Sequence, residues 1–286
     1  MKTIGHIINP VIVDKSSDLY KAQPITFETM RIARDFALNG VEVRLLTAQY
    51  PEDRALIPEW FQPTPDLERS ILDIGTFHKK RKLPLLVDIL DRLYTAAPEA
   101  DYLIYTNVDI GLMPYFYTAV NHMAEMEYDA FVINRRTIGK EHYHVQDLDL
   151  MYCEIGEKHP GYDCFVFKKS LYPRFKLGTA CVGANWIGRV LIANLICNSN
   201  NFRIFDNSHL TFHLGDDRSW QNPDLNDLHE HNDKELHKIL LGYEAEKLFQ
   251  DKPLVQRFLQ DIERRQEMLS GKKKYRSFLK RLLSKS

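Results

Sequence analysis

An amide and a carboxylate, Asn107 and Asp109, follow the apolar run Tyr102-Leu103-Ile104-Tyr105-Thr106. Aromatic and β-branched residues dominate that run and a turn follows at Gly111, which predicts a buried strand over 102–106. In an open α/β sheet, ligands sit at the carboxyl ends of strands. Alternate residues share a face, so Asn107 and Asp109 are expected on one side. Hard oxygen ligands at such a place suit a divalent cation carrying substrate phosphates. The alternative for Asp109 is that it merely begins a turn.

Three further groups could act with this pair. His209, Thr211 and His213 alternate with apolar residues, as on a strand or extended edge, and Gly215-Asp216-Asp217 follows. His159-Pro160-Gly161-Tyr162-Asp163 runs into the apolar stretch Cys164-Phe165-Val166-Phe167; Pro fixes and Gly frees a loop able to aim Tyr162 and Asp163 at a pocket. Lys79, Lys80, Arg81 and Lys82 precede a helix whose N-terminal dipole favours anions, and Lys82 stands nearest its start at Pro84. Each group has a bland reading as well: a structural histidine, a turn carboxylate, a solvated basic surface.

The elements that must position these residues alternate. Strands are predicted at 3–8, 41–46, 102–106, 130–133, 164–167 and 202–205, and helices at 25–38, 83–97, 116–126 and 183–196. Asn39-Gly40 closes the first helix. Residues 50–65 read as a Pro-rich loop, and 137–160 as a long polar one. This order predicts an α/β fold with a mostly parallel sheet flanked by helices. A domain over 1–232 would be followed by a helical C-terminal extension over 233–286.

The stretch from Lys82-Leu83-Pro84-Leu85-Leu86, through a helix and Ala100-Asp101-Tyr102-Leu103-Ile104-Tyr105, to Asn107-Val108-Asp109 resembles the centre of GT-A-type glycosyltransferases. These are nucleotide-sugar enzymes on a Rossmann-like sheet. The resemblance covers roughly residues 1–220 in element order. It implies that Asp109, as the last residue of an Asp-x-Asp motif, binds a divalent metal bridging the donor diphosphate. Asn107 stands where that motif usually has Asp, so it keeps an oxygen and loses a charge. The resemblance also implies a further metal ligand after the core sheet, which falls on His213; imidazole with carboxylate suits Mn²⁺ better than Mg²⁺. Asn9 and Pro10, ending the first strand, and Lys82 become donor contacts. Tyr162, Asp163, Asn185 and Trp186 become candidates for the acceptor site, with Asp163 as catalytic base and Trp186 as a stacking surface.

Bulk properties bound the reading. A formal net charge of -1 argues against a nucleic-acid binder, and no run approaches the ~18 apolar residues of a membrane span. Cys153, Cys164, Cys181 and Cys197 show no metal-site spacing and suit a reducing cytoplasm. No phosphate-binding Walker loop or dinucleotide fingerprint occurs. From Lys272 to Ser286 there are seven basic residues and no acid. Tyr275, Phe278, Leu279, Leu282 and Leu283 share one helical face there, a candidate contact with an anionic membrane surface. The expected function is sugar transfer from a nucleotide-sugar donor to a carbohydrate or lipid-linked hydroxyl acceptor, assisted by Mn²⁺ or Mg²⁺. The rivals are a sugar-phosphate nucleotidyltransferase and a non-catalytic nucleotide- or sugar-binding module. A second copy of the chain is a further candidate partner.

Overall fold

Seven strands form the main sheet, and their side chains divide between two cores. The computed structural model describes residues 1–215, 222–265, 267 and 268. In chain order the elements are β1 (Lys2–Ile8), α1 (Asp18–Ala37), β2 (Val41–Thr47), β3 (Gln62–Pro63), α2 (Leu86–Ala96), β4 (Tyr102–Thr106), β5 (Gly111–Leu112), α3 (Phe116–Glu125), β6 (Ala130–Ile133), β7 (Arg136–Ile138), α4 (Leu148–Cys153), β8 (Glu157–Lys158), β9 (Cys164–Lys168), α5 (Ile187–Asn198), β10 (Phe202–Phe205), β11 (Thr211–Leu214) and α6 (Asn226–Ala245). A last helix covers 253–265.

The main sheet has the order β10-β6-β9-β4-β1-β2-β3. All its pairings are parallel except those of β9, which runs against both β4 and β6. Period-2 alternation sends Leu103 and Tyr105 to one face and Tyr102 and Ile104 to the other. Phe165 and Phe167 likewise oppose Cys164 and Val166. On the first face lie α2, α5, α6 and the 253–265 helix; on the second, α1 and α3. Gly5 is required where α2 ends over β1, because a Cβ there would sit 2.7 Å from the Ala97 methyl.

Helices α1 and α5 differ most from their sequence-based bounds. Helix α1 begins at a Ser17 cap and runs through Pro24. Gln23 anchors its first turns by exchanging two hydrogen bonds with the Val11 backbone, at 2.9 and 2.8 Å. Helix α5 starts only at Ile187, because Gly183 and Trp186 adopt φ of 91° and 79°, outside helical geometry. The proposed domain boundary at 232/233 falls within α6, whose Leu236, Leu240 and Tyr243 join the α5-side core. The basic tail over 272–286 and the acids Asp216 and Asp217 lie outside the described residues. No described helix is long and apolar enough to cross a membrane.

A second sheet, β5-β11-β7-β8, stands where β4 and β6 end. Residues 137–160, expected as an irregular loop, supply β7, α4 and β8 to this region. Strand β11 pairs antiparallel with β5 and parallel with β7, so residues 107–113, 135–140 and 211–215 meet.

Candidate active site

Register alone assembles the charged cluster. Thr106 and Ile133, the last residues of β4 and β6, both lie opposite Cys164 at the start of β9. The residues just beyond those ends are Asn107, Asn134 and Arg135, and the one just before β9 is Asp163. Strand β11 then brings His213 beside Thr137.

Asp109 Oδ2 is 3.3 Å from His213 Nε2, while His213 Nδ1 lies 2.8 Å from the Gly215 carbonyl. A carbonyl only accepts, so Nδ1 carries a proton. In the neutral ring the Nε2 lone pair then faces a carboxylate, which is repulsive unless a proton or a cation stands between them. The neighbouring Asp109 Oδ1 is buried without a hydrogen-bond partner. Burial works against the Asp109 charge, but the hydrogen bond and charge of His213, aided by Arg135, hold that carboxyl below its usual range. For His213, burial acts to lower the pKa and Asp109 overrides it, leaving the imidazole above its ordinary value.

Arg135 is the member of the cluster that sequence reasoning missed. Its guanidinium donates to Asp163 Oδ1 at 2.8 Å and approaches His159 Nε2 at 3.4 Å. Asp163 is 6% exposed, its Oδ2 lacks a hydrogen-bond partner, and His159 Nδ1 lies 3.8 Å from that oxygen. Burial raises the Asp163 carboxyl, with Arg135 and His159 opposing that effect only in part. The signal was available, since Arg135 stands two residues past the 130–133 run, as Asp109 stands just past 102–106. A basic side chain at a strand end had the same claim as an acidic one.

The other nominated residues divide by location. Tyr105 Oη lies 3.2 Å from Asn107 Oδ1, so the Asn107 amide oxygen is engaged within the protein. Strand β4 stops at Thr106, and Asp109 is presented by the following turn and not by the pleat that predicted a shared face. Asn9 donates to the Ala48 carbonyl at 2.7 Å beside buried Pro10, holding the ends of β1 and β2 together. Lys82 pairs with Glu52 at 2.6 Å and lies 3.9 Å over the Tyr50 ring. Tyr162 packs against Gly188 of α5. The Asn185 backbone is fixed by His229 and Asn232 at 3.1 and 2.9 Å. Two guanidinium groups, Arg189 and Arg265, lie 4.8 and 4.3 Å from the Trp186 ring centre.

Among the described residues, no group of three or more His, Cys, Asp or Glu side chains could hold a metal. A cation here would have only two protein ligands, Asp109 and His213, 3.3 Å apart, with substrate phosphate and water in the remaining positions. That is the usual division of ligands where a divalent ion is carried on substrate phosphates.

No protein-family model matches this chain, and no curated protein sequence does. Similar solved structures include S. aureus TarS 1-349 in complex with UDP-GlcNAc, at 10% identity and a TM-score of 0.49, covering 84% of this chain and 66% of that one. GalNAc-T7 with UDP, GalNAc and Mn²⁺ is 11% identical over 77% of this chain and 44% of its own, at a TM-score of 0.43. The 4-diphosphocytidyl-2C-methyl-D-erythritol synthase of Anaerococcus prevotii is 10% identical over 80% of this chain and 98% of its own, at a TM-score of 0.38. The chain thus spans less than two thirds of TarS 1-349 and under half of GalNAc-T7. At such identities these neighbours assign no role to any residue here.

Proposed function

We propose that this protein transfers a sugar from a nucleoside-diphosphate donor to a hydroxyl acceptor, assisted by a divalent cation. The observation that carries this reading is the Asp109–His213 pair at the end of β4, whose imidazole is already held by Gly215 in the orientation a metal ligand needs. Asp109 and His213 would hold the ion, which when bound neutralises charge developing on the departing diphosphate.

The chain's own residues do the rest. Asp163 Oδ2 accepts the proton of the attacking hydroxyl, while Arg135 fixes the carboxylate through Oδ1. Burial makes that carboxylate a stronger base than a solvated one. Asn9, Pro10, Lys82 and Asn107 serve the donor; Tyr162, Asn185 and Trp186 serve the acceptor. The region after β1, Asn9-Pro10-Val11-Ile12-Val13, has no Gly-rich phosphate loop, which favours sugar transfer over nucleotidyl transfer. A lipid-linked acceptor at the inner face of a membrane would suit the basic tail.

The test is donor turnover. UDP-, GDP-, TDP- and CMP-sugars are screened for thermal stabilisation, and the donors that bind are then assayed for sugar release in Mn²⁺. Release supports the reading. Nucleotide binding without any release would make the protein a binding module.

A further inference from the structure

A cleft beside Asp109 and His213 is lined by two lysines that played no part in the sequence reading. Its walls include Asp18, Lys21, Asp109, Lys140, Tyr143 and His213, and its volume is about 50 Å³. That is room for a few waters, well below the roughly 300 Å³ at which ligand pockets begin.

Topology places both lysines there. Ile138, ending β7, pairs with Leu214, ending β11, and the Gly215 amide donates to the Ile138 carbonyl at 2.8 Å. The residue after Gly139 is therefore carried across Gly215. Gly215 has φ of 69°, and a Cβ on it would overlap the Lys140 side chain. Lys140 thus lies on the residue whose carbonyl holds His213. Its ammonium reaches Asp18, in the first turn of α1, at 3.1 Å. Lys21, one turn on, stands 3.9 Å over the Tyr143 ring.

These two attachments hold the segment after β7 against α1 and narrow the cleft. Both are weak. The Lys140 and Asp18 side chains are 48% and 51% exposed, so water and salt screen their attraction. A diphosphate approaching Asp109 meets a carboxylate and needs compensating cations beyond any metal. Lys82, the basic residue the sequence offers for that task, is not among the described residues lining this cleft.

We propose that Lys21 and Lys140 form the diphosphate subsite, and that the segment after β7 is a strap which opens by breaking the Lys140–Asp18 pair and recloses on phosphate oxygens. This rests on the donor assignment above, but its test does not require sugar transfer. Inorganic pyrophosphate, with and without Mn²⁺, is titrated calorimetrically into the full chain and into Lys21→Gln, Lys140→Gln, Asp18→Asn and Lys158→Gln. Each of the first two should bind roughly tenfold more weakly, the size of one charge-assisted hydrogen bond. Asp18→Asn should bind roughly two- to fivefold more tightly, because it removes the competitor for Lys140; a fold defect would move affinity the other way. Lys158→Gln, on an exposed pair with Asp206 elsewhere, controls for overall charge. Unaltered affinity in both Lys21→Gln and Lys140→Gln, weaker binding by Asp18→Asn, or no pyrophosphate binding by the unaltered chain would each overturn the proposal. Pyrophosphate bound through both lysines while every nucleotide-sugar is refused would leave the subsite standing and sink the donor assignment instead.

Discussion

Asp109 Oδ2 faces His213 Nε2 across 3.3 Å, and the far side of the same imidazole is fixed by Gly215. Each partner favours the charged form of the other: the carboxyl is held down and the imidazole up. A cation bound between them would take the place of the Nε2 proton, so metal binding at this pair would release a proton.

Asp109→Ala is expected to abolish transfer, by at least about 10²-fold if the metal site carries the leaving-group stabilisation. It should also lower the His213 pKa, because the partner that raises it is gone. Imidazole titration by NMR, beside activity before and after EDTA, checks both. An active variant, or full activity in EDTA, rejects the assignment.

His213→Ala should weaken Mn²⁺ binding more than nucleotide binding, whereas His209→Ala should leave Mn²⁺ binding unchanged. Paramagnetic relaxation of water protons during Mn²⁺ titration measures it. Equal curves for the two variants would return His213 to a structural role.

For the pair Arg135 and Asp163, two substitutions separate chemistry from support. Asp163→Asn should keep donor affinity and reduce transfer by orders of magnitude. Arg135→Met leaves a buried carboxylate uncompensated, at a cost of about 3–5 kcal/mol in stability. Because Arg135 acts to lower the Asp163 pKa, its removal raises that pKa, and the acidic limb of the rate profile moves to higher pH. A limb that stays in place in a folded Arg135→Met protein argues against Asp163 as the base.

His6 in β1 is fully buried, its ring nitrogens 2.8 Å from Tyr117 Oη and 2.9 Å from Thr106 Oγ1. Burial pushes its pKa down to about 3. The unfolded chain takes up this proton near pH ~6.5 and the folded chain does not. The His6 contribution is therefore fully present above that pH and is lost as pH falls toward 3, at up to ~1.4 kcal/mol per unit. Urea denaturation at pH 7 and pH 5 should show a pH dependence about 2 kcal/mol smaller in His6→Gln than in the unaltered chain. Parallel curves would remove His6 from the acid sensitivity of the fold.

The tail prediction concerns residues 272–286. The full chain should co-sediment with anionic vesicles at low salt, and a chain ending at Ser270 should not. Neutral vesicles should recover neither. Equal recovery of both chains with anionic vesicles would remove the tail as an anchor.

How far this was legible depends on where each signal resides. Strands β4, β6 and β10 were read to the residue, because Tyr102–Thr106 and Ala130–Ile133 are unbroken runs and Phe202–Phe205 is a short aromatic and β-branched one around Arg203, each bounded by polar residues. The direction of β9 was not legible. Cys164 to Phe167 are buried on both faces, and an apolar run carries no mark of parallel or antiparallel pairing. Asp109 was named from its place after a strand, and His213 as a second metal ligand from the family resemblance. Their proximity depends on β11 pairing with β5 about a hundred residues earlier, which no local pattern specifies. The start of α5 was misplaced because Trp186 takes a left-handed conformation that a bulky residue rarely adopts. Lys140 was passed over because only the β7–β11 pairing carries it to the cleft.

The reversed strand also imposes an order of events during synthesis. Strands β4 and β6 do not touch in the sheet; β9 lies between them and pairs with both. A chain still emerging from the ribosome, with β1 to β6 already made, has two open strand edges facing an empty lane until residues 164–168 arrive. Such edges are templates for pairing with other chains. Between the emergence of Ile133 and that of Lys168 the strand that joins β4 to β6 is missing, and the nascent protein is exposed to aggregation through both edges. Slow translation over 134–163 would lengthen that window, so synthesis speed across this stretch is a property on which the yield of folded protein depends.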